Sequence, residues 1–404
     1  MKNLAVKGLS IIFMILVLSS SAWAADRPIR ILMIDPMSGP MADSGEKFLA
    51  GIRMAAEEAN AQGGLLGRKV EAISEDSQVK ADVAVRKAQK YLLDGSVDFV
   101  CTGIGSHVAK ALTDATKQHN VVFINYTFSD DATGKDFAYH SVRLTYNSSM
   151  LARALVAYIA QKTPFKKFYL LNQDYTFGHD MATAFKREVL RQIQGVQIVG
   201  EDYHPLSTKD MSPFLTKIKG SNADAILTGN WGADLSILLK QRQELEVKPV
   251  VVNNMLAMPV IVREFPEAAI GCIAADIYMM TTNTPENHDF VSRWQQKHKG
   301  TQWPDPDGAG GRTYIGTKFL LEAIQKAKSV ELNKLIPAME GMRQKTLNGE
   351  AYLRACDHQL LIPMPVASVR STKYPYLGVP TLIPAAAVEI EETAVENPRC
   401  RRKQ

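Results

Sequence analysis

The strongest constraint on this chain is a rhythm. Short apolar runs alternate with longer amphipathic stretches, and the alternation runs twice. "IRILMI" (29–34) is a strand, and "DSGEKFLAGIRMAAEEANAQGG" then forms a helix with Asp43 and Glu46 placed as a capping box. Leu49, Ile52, Ala56 and Ala59 fall on one face of that helix, and Gly63-Gly64 end it. "KVEAIS", a helix over 80–93, "VDFVCT", a helix over 107–118 and "NVVFINY" continue the pattern. Strands separated by helices pair in parallel, because only a long crossover returns the chain to the same sheet end.

After "YHSVRLTYNSS" a second set begins: helix 149–162, "KKFYLLN", helix 179–194, "VQIVGEDY", helix 211–219, "ADAILTG", helix 232–246 and "KPVVVNN". The shared rhythm predicts an α/β protein of two doubly wound, parallel-sheet lobes, in keeping with 404 residues. "GCIAADIYM" (271–279) leads back toward the first lobe, followed by helices in "HDFVSRWQQKHKG" and "RTYIGTKFLLEAIQKAK". From about residue 355 the chain turns Pro-rich and strand-like, and it ends in a charged segment.

Residues 1–24 have the form of a secretory signal: Lys2 and Lys7, the apolar "LSIIFMILVL", and an Ala22-Trp23-Ala24 cleavage site. The apolar run is short for a membrane span, so an exported, soluble mature chain is expected. The formal charge of +5 falls to +3 without Lys2 and Lys7, which gives no case for nucleic acid. Of the four cysteines, Cys101 and Cys272 lie in apolar runs and are expected as buried thiols. Cys356 and Cys400 lie in polar surroundings, where export permits a bridge that would tie down the tail; the sequence leaves that open. No spacing of Cys or His supports a metal site.

"VDFVCTGIGSHVAKAL" (97–112) places glycines between a strand and a helix, as a dinucleotide-binding loop does. That loop needs a third glycine and an acid at the end of the next strand; Val108 and Asn125 stand there instead. No nicotinamide or flavin cofactor is expected. With no G-x-S-x-G and only scattered histidines, neither is catalysis. The helix start remains an anion site in physical terms, with free N–H groups at Ser106, His107 and Val108, unless Ser106 merely caps its own helix.

Several stretches together carry a resemblance. "MSGPMADSGEKFLAGIRMAAEEANAQGGLLGRKVEAISED" (37–76), "NQDYTFGHDMATAFKRE" (172–188), "KDMSPFLTKIKGSNADAIL" (209–227) and "LLEAIQKAK" resemble the Leu/Ile/Val-binding family of periplasmic substrate-binding proteins, in order and over nearly the whole mature chain. The resemblance implies a type I periplasmic binding fold, two lobes joined by three crossovers, with a small ligand clamped between them and handed to an ABC permease. It implies a monomer in the periplasm without cofactor or catalysis. The division is then a signal peptide (1–24), lobe one (25–145 plus 277–350), lobe two (146–276 plus 351–390) and a charged tail (391–404).

By that resemblance Ser106 meets the ligand carboxylate, and Thr127 and Ser129 of "NYTFSDD" complete a neutral cradle. Ser44 and Tyr126 lie at the same cleft edge. In lobe two, Tyr175 and Phe177 of "DYTFG" and Trp231 of "TGNWGAD" match aromatic positions against the ligand. The departures concern the α-ammonium of an amino acid, which the family holds with carboxylates. One such position falls on Asn147 or Ser148 and the other on Asn254, all neutral. A buried cation without an anion is costly. The expected ligand is therefore a small carboxylate with an aromatic or branched body, unless Asp130, Asp131 or Asp174 supplies the charge. An amino-acid receptor, or a receptor presenting ligand to a membrane sensor, is the alternative. Arg143 is expected in a structural salt bridge, His107 at the cleft rim, and Arg312 and Tyr314 either line the cleft or begin a helix.

Overall fold

Ile29–Asp35 form the first strand, β1, and every residue of it except Arg30 is buried. Successive side chains point to opposite faces, so Ile31 and Met33 enter one core while Leu32 and Ile34 enter another. A strand buried on both faces has helices on both sides. The computed structural model describes residues 27–390 and 397–400. The signal segment (1–24) and most of the charged tail (391–404) thus lie outside the described residues.

The first sheet adds β2 (Val70–Asp76), β3 (Phe99–Thr102), β4 (Val122–Asn125) and β5 (Ser141–Arg143) in the order β2-β1-β3-β4-β5, all parallel. Helices α1 (Ala42–Ala61), α2 (Ala81–Leu93) and α3 (Ser106–Lys117) connect the first four strands. The order reverses between β1 and β3, and in open sheets of this kind the crevice beyond those two strand ends is where ligands bind.

The chain then passes to a second sheet through α4 (Ser148–Lys162), which packs on it. Its strands are β6 (Lys167–Gln173), β7 (Gln197–His204), β8 (Ala225–Leu227), β9 (Val250–Val252) and β10 (Ile273–Ala275), connected through α5 (Thr176–Gln192), α6 (Ser212–Gly220), α7 (Gly232–Glu244) and the short α8 (Pro259–Glu264) and α9 (Pro266–Ala269). The order β7-β6-β8-β9-β10 repeats the winding of the first sheet, with its switch point between β6 and β8. Residues 276 onward return to the first sheet, where α11 (Gly308–Ala327), which follows α10 (Pro285–Lys297), packs along α1. A third passage, after α12 (Leu332–Met339), brings in β14 (Met364–Ser368) and β15 (Thr381–Ile383). These two run antiparallel, so the second sheet is mixed rather than wholly parallel.

Two local expectations change. Asp43 does not cap α1: the Gly39–Met41 turn starts the helix at Ala42, Met41 is the N-cap, and Asp43 pairs with Lys47 at 2.7 Å. A small antiparallel sheet of β11 (Arg343–Thr346), β12 (Gly349–Leu353) and β13 (Leu360–Leu361) lies outside the alternating pattern, its first hairpin turning at Asn348-Gly349. Cys101 and Cys272 are free and buried, and Cys356 is bridged to Cys400. Among the described residues no helix is long and apolar enough to cross a membrane.

Candidate functional site

At the switch point of the first sheet, the buried Asp35 ends β1 beside the glycine turn that follows β3. Its carboxylate accepts the N–H of Gly103 at 2.8 Å, the N–H of Ile104 at 2.8 Å and the hydroxyl of Thr102 at 3.0 Å. The two glycines have separate reasons. A Cβ at Gly103 would fall 2.4 Å from the ring of Phe48, and Gly105 has φ +90°, a region open chiefly to glycine. Gly105, not Ser106, is the N-cap of α3. Ser106 is therefore the first helical residue, and it is exposed with its hydroxyl free of a capping role.

Ser106, Thr127 and Ser129 converge on one cavity of about 180 Å³, together with Asn125 and, on the rim, Lys110, Asp131 and Asp136. Asn125 shapes the loop: its side-chain oxygen accepts the N–H of Thr127 at 2.7 Å and the Thr127 hydroxyl at 2.8 Å. Arg143 holds the same loop from below through the carbonyl of Ser129. Burial pushes its guanidinium down to about 10, and its Nε and Nη1 find no partner. A hydrogen bond to the cleft loop thus takes the place of the expected salt bridge. Of the acids lining it, Asp131 pairs with Lys135 at 2.9 Å, while Asp136 and Asp114 share Lys110 at 3.6 and 3.7 Å. The helix start contributes free N–H groups and partial positive charge. Such a cradle can accept a carboxylate.

The second sheet supplies Tyr175 after β6 and Trp231 after β8, so the pair spans its switch point. The Trp231 indole N–H donates to the Tyr175 hydroxyl at 2.6 Å, and Phe177 lies 6.2 Å from Tyr175, ring centre to ring centre. Trp231 lines a groove of about 940 Å³ whose opposite wall includes Ser44 and Lys47 of α1, with Met255, Met258, Trp303 and Tyr374 around it. The candidate residues therefore fall in two places, the Ser106 cavity and the Trp231 groove.

Three further candidates, Tyr126, Ser148 and Asn254, line neither of these places. Tyr126 is buried with its ring against Gly316 and its hydroxyl 3.5 Å from Thr317, facing α11. Ser148 donates its N–H and hydroxyl to the carbonyl of Phe128 at 2.9 and 3.1 Å, and Asn147 caps α4 through the N–H of Met150 at 2.8 Å. Asn254 is buried, and its side-chain oxygen has no partner. Of the spare acids, Asp130 accepts the Ser149 hydroxyl at 2.6 Å, and Asp174 pairs with His179 at 2.9 Å.

Sequence reasoning missed the seam between the sheets. Phe128 and Tyr146 stack at 4.7 Å, nearly parallel. The guanidinium of Arg312 lies 4.4 Å from the centre of the Phe128 ring, and its Nη2 is 3.3 Å from the buried carboxylate of Asp276. The Tyr146 hydroxyl and Arg312 Nε have no hydrogen bond of good geometry. Burial pushes the Asp276 carboxyl up, against the pull of Arg312. A polar residue closing the apolar run "GCIAAD" was the one signal available for Asp276.

Comparisons with known proteins agree with this architecture. The Leu/Ile/Val-binding protein homolog 4 of Brucella melitensis is 24% identical, over 87% of this chain and 86% of its own. The closed form of a leucine-, isoleucine-, valine-, threonine- and alanine-binding protein from Brucella ovis superposes with a TM-score of 0.83 at 22% identity, covering 90% of this chain and 97% of that one. A Rhodopseudomonas palustris solute-binding protein of an ABC transporter, solved with 3,4-dihydroxybenzoic acid, superposes at 0.77 with 21% identity, covering 88% and 97%. Residues 28–373 match the periplasmic binding protein family, so the chain belongs to that family, one of substrate-binding proteins of ABC transporter type and not of enzymes.

Proposed function

We propose that this protein is the periplasmic solute receptor of an ABC uptake system and that its ligand is a small carboxylate with an aromatic or branched apolar body. The observation that carries the reading is the convergence of Ser106, Thr127 and Ser129 on one cavity at the N-terminus of α3. That cradle suits the acid end of a ligand. The aromatic pair Tyr175 and Trp231 suits the body, which closure of the two lobes would bring against that cradle from the separate groove that Trp231 lines. The positions matched to the family's ammonium site carry no carboxylate: Asn147 is a cap and Asn254 is neutral, while the nearby Asp276 is already paired with Arg312. Similar structures include one named for amino acids and one solved with a dihydroxybenzoate, so the fold accommodates both kinds of ligand. The receptor acts as a monomer and delivers its ligand to a membrane permease.

One observation favours the amino-acid reading. Asp131 lines the same cavity as Ser106 and could exchange Lys135 for a ligand ammonium. Calorimetric titration of refolded mature protein separates the two, comparing Leu, Ile, Val and Phe with benzoate, 4-hydroxybenzoate and branched aliphatic acids. Binding of the acids alone supports the proposal; tight binding of Leu or Val alone overturns it in favour of Asp131. A hydrogen bond to a charged group contributes about 1.5–3 kcal/mol, so Ser106→Ala should weaken a bound carboxylate roughly ten- to hundredfold.

A further inference from the structure

The end of a chain frays unless something holds it, and here residues 397–400 are held in four ways. Cys400 is bridged to Cys356. Asn397, fully buried, donates its side-chain N–H groups to the carbonyls of Thr133 at 3.2 Å and Cys356 at 3.4 Å. Arg399 donates to Glu340 at 2.7 Å. Its guanidinium also sits 5.4 Å from the ring centre of Phe137 and 5.0 Å from that of Tyr139. Thr133, Phe137 and Tyr139 belong to the loop that begins at Ser129, and Ser129, Asp131 and Asp136 of this loop line the Ser106 cavity.

We propose that Asn397–Cys400 is a positioning element for that cavity: a disulfide-anchored clasp that fixes the 129–139 loop on which one wall of the cavity is built. Within the loop the regular structure is the single turn Asp130–Ala132, held from outside by Arg143 at the Ser129 carbonyl and by the Ser149 hydroxyl on the Asp130 carboxylate at 2.6 Å. From Thr133 onward the contacts that hold it include those of Asn397 and Arg399, beside the ring of His358 against Phe137 and Tyr139. The clasp reaches it from a distant place, since Cys356 lies just before His358 and Gln359, which bond to the crossover at Ser141, Arg143 and Thr145. A bridge closing a 44-residue separation makes that anchorage persistent, by removing chain freedom that would otherwise let the segment leave. Arg399 and Asn397 then transmit it by a stacked cation and a buried amide. The bearing on ligand binding rests on the reading of the cavity given above.

Amide hydrogen exchange in the full-length mature protein without ligand tests this directly, so its failure is distinguishable from failure of the ligand assignment. Two variants are compared with wild type at a temperature where circular dichroism shows all three native. In Cys356→Ser/Cys400→Ser, exchange of peptides within 129–139 should rise at least tenfold while those from β1 and β3 stay unchanged. Arg399→Ala keeps the bridge and should still raise exchange at 133–139 several-fold. No change in 129–139 in either variant overturns the proposal. So does a rise that β1 and β3 share, which would make the clasp a contributor to global stability and nothing more.

Discussion

The carboxylate of Asp35 holds the backbone N–H of Gly103 with both oxygens, at 3.0 and 2.8 Å. The end of the first strand is thereby tied to the turn that launches Ser106. The crevice of the first sheet is built on this contact, because the direction of α3 follows from where Gly103 and Ile104 are pinned.

Burial pushes Asp35 up from the ordinary 3.8 to about 7, against the pull of its hydrogen bonds. Between about pH 4 and about pH 7 the folded protein keeps a proton that the unfolded chain releases. The stability this group lends is thus complete below about pH 4, falls as pH rises toward about 7, and is level above. Asp35→Asn abolishes that slope and, with its oxygen kept toward Ile104 and Thr102, sets its amide N–H against the N–H of Gly103, for a loss of about 1–3 kcal/mol. The loss should be larger at pH 5 than at pH 8. Thermal midpoints of both proteins across that range check it, and parallel curves would place the pH dependence elsewhere.

Helices α1 and α11 touch backbone to backbone at Gly51. A Cβ there would fall 2.2 Å from the carbonyl oxygen of Gly310 and 2.3 Å from the Thr313 hydroxyl. Gly51→Ala should therefore destabilise by about 1–3 kcal/mol as the two helices are forced apart. Gly220→Ala, where a Cβ meets nothing within 4 Å, is the control, and it should be neutral or slightly stabilising. Urea unfolding of the two variants gives the comparison, and equal midpoints would mean that the helices part freely.

Much of this fold is legible because its signals are local. Parity within "IRILMI", the glycines of 103–105 and the order of the strands follow from near neighbours and from period. The hidden features are the ones made across long separations. Nothing near Tyr126 says that its ring turns toward Gly316, and nothing near Arg312 says that its partners are Phe128 and Asp276. Asp43 shows a competition between two local signals, in which the turn at Gly39–Met41 starts the helix before the capping pattern can. For the site, the convergence of Ser106, Thr127 and Ser129 follows from strand ends sharing one edge of a sheet. The division between their cavity and the Trp231 groove depends on how the two sheets meet, which no window of sequence contains.

The seam offers a sharper test of electrostatics. Removing the guanidinium in Arg312→Met leaves Asp276 buried without its cation, a change that costs about 3–5 kcal/mol. Adding Asp276→Asn removes the stranded charge, so the double variant should be more stable than Arg312→Met alone. A denaturation cycle over the four proteins measures the coupling. A double variant weaker than either single one would show that Arg312 acts through its packing on Phe128 instead.

Across the second switch point, the Trp231–Tyr175 hydrogen bond joins the loop after β6 to the loop after β8. Such a bond contributes about 0.5–1.5 kcal/mol net. Tyr175→Phe should cost that much in wild type but almost nothing in a Trp231→Phe background, where the donor is already gone. Burial pushes the Tyr175 hydroxyl up to about 12, so it stays protonated and the coupling should be the same at pH 6 and pH 9. If the bond also sets the aromatic wall of the groove, both single variants should weaken a bound ligand to a similar degree, and the double variant no further. Calorimetry on the four proteins with the tightest compound of the panel measures this, and additive losses would mean that the two rings meet the ligand independently.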